Sequence, residues 1–199
     1  LRRKIVEEYN RALLHEAQML RPDLLFVFKG PLVAPKILQN IRDLGTICIQ
    51  FYPDTGFRSH SSLLWDAIPE YDWFFTTKKV HIEEILSSHG FERISFLPHG
   101  FDPETHKEIV PSQKDIDAYS CDVSFIGNIS SKKRAMLKNL LDRDAKLDLA
   151  VWGSKGWERC EPRLAQAYRG GGVFGLEYAK AIQLSKINLA LLFEGNPDG

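Results

Sequence analysis

The chain has 199 residues, 44% of them hydrophobic and 26% charged, with 26 basic and 26 acidic side chains and no net charge. That length accommodates one large or two small domains. The balance holds within each half, twelve of each sign in residues 1–100 and fourteen of each in 101–199, which excludes a broad basic nucleic-acid surface. No apolar run approaches the roughly 18 residues of a membrane-spanning helix. The three cysteines (Cys48, Cys121, Cys160) show neither metal spacing nor the even count of a disulfide framework. These features predict a cytoplasmic protein without a transmembrane segment, leaving room for peripheral membrane contact. The sequence begins at Leu1 and stops after Asn196-Pro197-Asp198-Gly199, so it reads as a piece of a longer protein, truncated at both ends.

Residues 3–20 carry Ile5, Val6, Tyr9, Leu13, Leu14, Ala17 and Leu20 near a 3.6-residue period, which predicts a helix. LLFVF at 24–28 is apolar throughout, as expected of a parallel strand covered on both faces. The pattern then alternates: helix 35–44, strand 46–51, helix 61–68, strand 72–77, helix 79–89 closed by Gly90, and strand 94–97. This alternation predicts right-handed crossovers and a parallel sheet with helices on both faces. Ligands of such sheets bind at the carboxyl ends of the strands.

Residues 104–120 are polar, follow Pro103 and include Pro111, which predicts a linker after an N-terminal lobe of residues 1–103. A second alternating unit, 121–199, begins with the stretch on which the rest turns. DVSFI is a short strand, Gly127-Asn128 breaks it, and Ser130 or Ser131 caps a helix with Lys132, Lys133 and Arg134 in its first turns. A helix N-terminus already carries partial positive charge, so cations there cost stability unless an anion binds. The stretch reads either as a phosphate site or as three solvated surface cations. A strand at 146–152, a short helix at 162–168, a glycine-rich loop at 169–175, a helix at 176–185 and a buried strand at 187–193 complete the unit.

Asp54-Thr55-Gly56 matches the aspartic-protease triplet, but it occurs once in an α/β context, where that chemistry needs two carboxylates together. Asp54 is therefore either a base or acceptor-binding carboxylate at a strand's carboxyl end or the cap of an Asx-turn. His99, in PHGFDP, is either functional or held by a backbone carbonyl. Gly127-Asn128 fits neither a G-x-G-x-x-G fingerprint nor a Walker loop. Trp152 and Trp157, flanking Gly153 and Gly156, stack a base or fill the core.

The run DVSFIGNISSKKRAMLKNLL, then LAVWGSKGW and GVFGLEYAKAIQLSKINLALLFEGNPDG, resembles the C-terminal lobe of the CgeB-like spore-maturation family of glycosyltransferases, and LPHGFDPETH resembles its inter-lobe segment. The resemblance implies the GT-B architecture of two Rossmann-like lobes. The C-terminal lobe would bind a nucleotide diphosphate sugar, with Gly127 and Asn128 at the diphosphate and Lys132, Lys133 and Arg134 adding charge. The loop 153–157, beginning at Gly153 beside Trp152, and the segment 172–177, with Gly172, Val173 and Glu177, would form the nucleoside pocket. Tyr178 and Lys180 would line the following helix. The N-terminal lobe would take a carbohydrate, lipid or protein acceptor, with Asp54 and His99 toward it. The resemblance implies neither a metal nor another cofactor. In that family an Arg and a Glu follow the EGN turn, beyond the last residue here. Two other functions fit the same architecture: a sugar-nucleotide epimerase and a non-catalytic coat or scaffold protein.

Overall fold

The computed structural model describes residues 2–57 and 62–191. The chain divides into two compact units at the Gly100–Phe101 junction, each built on a four-stranded, wholly parallel sheet. The division falls slightly before the predicted linker. That polar stretch is not structureless: Gln113–Tyr119 is a helix with a complete capping box, in which Ser112 accepts from the Asp115 N–H and Asp115 accepts from the Ser112 N–H. Its periodic apolar signal is weak because none of its residues is fully buried.

The first unit runs α1 (Arg2–Leu20), β1 (Leu24–Phe28), α2 (Pro35–Arg42), β2 (Ile47–Tyr52), α3 (Ser62–Ala67), β3 (Trp73–Thr76), α4 (Val80–His89) and β4 (Ile94–Phe96). Ser61, the predicted start of α3, lies outside the described residues. Pro35 opens α2 where its missing N–H costs nothing, and Gly90 closes α4 in the left-handed conformation. The strands follow one another across the sheet in the order β1-β2-β3-β4. Successive right-handed crossovers in one direction put their helices on the same face. One cluster therefore collects Leu38 and Ile41 of α2, Leu64 of α3 and Ile85 of α4 over Val27, Cys48, Tyr52 and Phe74. Each such burial stabilises by about 1.5–3 kcal/mol. Asn10 ties α1 to the start of α2, donating to the Leu32 carbonyl and accepting from the Ala34 N–H.

The predicted double coverage does not hold for this sheet. The strand residues of the opposite face register as rows, Leu24–Ile47, Phe26–Ile49–Trp73 and Phe28–Phe51–Phe75–Ser95. Phe26 is 55%, Phe28 58%, Ile47 54% and Trp73 40% exposed. The apolar run LLFVF is apolar on both sides, but among the described residues only one side is filled.

The second unit runs α5 (Gln113–Tyr119), β5 (Cys121–Ile126), α6 (Ser131–Arg143), β6 (Leu149–Trp152), α7 (Pro162–Ala167), β7 (Tyr168–Gly170), α8 (Gly175–Gln183) and β8 (Ser185–Leu189). Ser130 caps α6 by accepting from the Lys133 N–H (3.3 Å). The predicted glycine-rich loop is shorter than expected, because residues 168–170 pair with β6. The residues after 191, with the predicted end of the last strand and the EGN turn, lie outside the described residues. Strand order is β7-β6-β5-β8. Val123, Phe125 and Val151 pack under Leu137 and Leu141 of α6 and Leu164 of α7. Ala150 and Trp152 belong to a second cluster with Val173 and with Ala181 of α8. Both faces of β5 and β6 are covered, but β8 at the edge is not the buried strand expected, since Lys186, Ile187 and Asn188 are exposed; the winding reverses between β5 and β8.

Candidate functional site

A reversal of winding leaves a crevice at the carboxyl ends of the two strands that flank it, here β5 and β8, because the connections leave them on opposite faces. Here a crevice of about 350 Å3 opens at that place, lined among others by Ser124, Ile126, Lys133, Tyr178, Ile182 and Asn188. Ser124 and Asn188 sit opposite each other in the β5–β8 register. Ser124 Oγ donates to Asn188 Oδ1 (2.5 Å), and Asn188 Nδ2 donates to the Ile182 carbonyl of α8 (3.0 Å). This chain of hydrogen bonds fixes β5, β8 and α8 relative to one another at the crevice. Neither residue was among the sequence candidates. The available signal was a polar residue inside each of two otherwise apolar runs, VSFI and INLALLF.

Lys133 comes from the first turn of α6. Its ammonium lies 5.6 Å from the Phe125 ring centroid, and its side chain is part of the crevice wall. Lys132 is exposed in the same turn. Arg134 is committed elsewhere: its Nε and Nη2 donate to the two carboxylate oxygens of Glu161 (3.1 and 2.9 Å). That pair raises the arginine and holds the Glu161 carboxyl below its ordinary range. The three cations read as one cluster in sequence are thus separated in space by a partner 27 residues away.

Gly127 and Gly153 end neighbouring strands in close approach. The Gly127 N–H donates to the Trp152 carbonyl (2.9 Å), and the Gly127 carbonyl accepts from Trp157 Nε1 (2.9 Å). A Cβ built on Gly153, whose φ is +147°, would stand 2.0 Å from that same carbonyl oxygen. Asn128 is exposed in the loop that follows. Trp157 is fully buried, edge-on to Phe125 at 5.8 Å, and Trp152 is 4% exposed, between Tyr119 and the Arg169 guanidinium. Both tryptophans are core residues, so neither offers a face for stacking a base. Val173 is likewise buried beside Trp152, whereas Gly172 is exposed on the approach to α8 and Glu177 is exposed in its first turn. Lys180 pairs with Asp115 at 2.7 Å, joining α8 to α5. Of the residues singled out in this unit, Lys133 and Tyr178 share the crevice.

In the first unit Asp54 lies in the loop after β2, paired with Lys29 from the loop after β1 (2.9 Å). That loop is gripped at three carbonyls. Thr77 Oγ1 donates to Pro53 O (2.9 Å), His81 Nε2 to Thr55 O (3.1 Å) and the Tyr52 hydroxyl to Gly56 O (2.7 Å). His81 is buried; the Thr55 carbonyl can only accept, so Nε2 carries a proton toward it, while Nδ1 meets the Thr76 hydroxyl at 2.7 Å. Burial, reinforced by the Asp54 carboxylate, pushes the Tyr52 phenol up. His99 is exposed and packs edge-on to Phe51 at 6.2 Å.

Among the described residues no helix is long and apolar enough to cross a membrane, and no group of three or more His, Cys, Asp or Glu is placed to hold a metal ion. No family model matches the chain, and no curated protein matches it.

Proposed function

We propose that the protein is a glycosyltransferase that moves a sugar from a nucleotide diphosphate sugar to an acceptor hydroxyl, of the kind the CgeB-like resemblance implies. One observation carries the reading: the switch-point crevice, with Lys133 in its wall beside the start of α6. A lysine and a helix start favour an anionic group, and the remaining lining is mostly uncharged, which suits a ligand with a charged middle and a flat or apolar end. The diphosphate belongs beside Lys133, with Lys132 adding charge, while Arg134 serves Glu161 instead. Asp54 is the proposed acceptor-side base, since its loop is held in place by three side-chain hydrogen bonds.

Calorimetric titration with UDP, GDP and ADP, without and with Mg2+, tests this. One diphosphate binds selectively, and Lys133→Ala weakens it about tenfold or more, as for other hydrogen bonds to charged groups. If no diphosphate binds, the reading fails. One observation favours a non-catalytic scaffold: the open aromatic face of the first sheet is an interaction surface in search of a cover.

A further inference from the structure

We infer that the base of the nucleotide packs against the ring pair of Tyr178 and His106, an inference that rests on the nucleotide reading above. A second cavity, of about 280 Å3, shares Tyr178 and Ile182 with the switch-point crevice and continues to His106, Ala179 and Gln183. Tyr178 is the wall common to both. The groove therefore has two compartments of different chemistry, one beside Lys133 and one beside the His106 and Tyr178 rings.

The polar groups of the second compartment are largely spent. Gln183 accepts from the Ile109 N–H and donates to the Ile109 carbonyl, both at 2.8 Å. His106 Nδ1 accepts from the Asp102 N–H (3.1 Å), and Asp102 is itself held by Thr105 and the Glu104 N–H. Lys107 turns to Glu104. What remains is the exposed Glu108 carboxylate at the rim, the apolar surface of Ala179 and Ile182, and two rings in edge-to-face contact, 6.1 Å apart at 77°. A flat heteroaromatic ring loses little on leaving water and gains ring contacts. With Nδ1 accepting, the neutral imidazole keeps a proton on Nε2, a donor suited to a base carbonyl. The tryptophans that the sequence offers for stacking are buried, whereas this ring pair lines a cavity.

The test titrates the 199-residue chain with pyrophosphate and with UDP, GDP and ADP. The expected result is that the preferred nucleoside diphosphate binds at least about tenfold more tightly than pyrophosphate. His106→Ala and Tyr178→Ala each remove about fivefold or more of that affinity, the range for base–aromatic stacking, and His106→Ala leaves pyrophosphate unchanged. His106→Phe and Tyr178→Phe, which keep the rings, retain most of it. Both residues are at the surface, so unchanged melting temperatures accompany these losses. If the alanine variants bind nucleotide as the parent does, the base site is overturned while the diphosphate reading stands. If neither pyrophosphate nor any nucleotide binds, both are overturned.

Discussion

The two units use the same parts, four parallel strands and short crossover helices, and differ in the order of assembly. In the first, each strand is laid beside the last, so α2, α3 and α4 share one face and the other carries Phe26, Phe28, Ile47 and Trp73 toward solvent. In the second, β8 returns to the far side of β5, which places helices on both faces and opens a crevice at the reversal. The direction of winding, more than the composition of the strands, decides whether a sheet acquires a crevice at its strand ends or an open apolar face.

The largest effect that tests this contrast lies in the first sheet. Phe74, on the filled face, is fully buried, and Phe74→Ala costs about 3–5 kcal/mol in urea unfolding. Phe26→Ala, on the open face, costs about 1 kcal/mol or less. Equal losses would show that the open face is covered in solution. In the second sheet, Asn188→Leu cuts the hydrogen bonds that join β5, β8 and α8 and leaves buried Ser124 without its partner, costing about 1–3 kcal/mol. An unchanged unfolding midpoint would remove the Ser124–Asn188 pair as an organiser of the crevice.

The smallest effect is a pH dependence confined to the second unit. Lys180, and after it Ser112, hold the Asp115 carboxyl down from 3.8 to about 2. A carboxyl lowered on folding contributes stability that is complete above its unfolded value and is lost as pH falls through its folded one. The melting-temperature advantage of the parent over Asp115→Asn is therefore constant above about pH 5 and disappears toward about pH 2. An advantage that persists at pH 2 would mean that the α5–α8 clasp does not depend on this charge.

Elements with a clear period were legible in the sequence: α1, α6, the central strands and the α/β alternation all lie close to where the pattern puts them. The open face was not, because a strand that is apolar on both sides reads alike whether one face or two are covered. The three-residue strand β7 is too short for periodicity, and α5 buries too little. Of the residues that line the crevice, Lys133 was named from its place at a helix start and Tyr178 from the resemblance. The diversion of Arg134 to Glu161, the burial of Trp157 against Gly127 and the pairing of Ser124 with Asn188 each depend on residues 27 to 64 positions apart, which no local pattern records.

The close approach of Gly153 to Gly127 has a consequence for which variants can survive. At position 153 any side chain begins with an atom 2.0 Å from a backbone oxygen, on a residue whose φ is +147°. A neighbouring strand end would have to move before even alanine fitted. Gly171 has open space around it. In a saturation library selected only for folding, position 153 would return glycine alone, whatever reaction the protein performs, while position 171 would accept a broad range of residues.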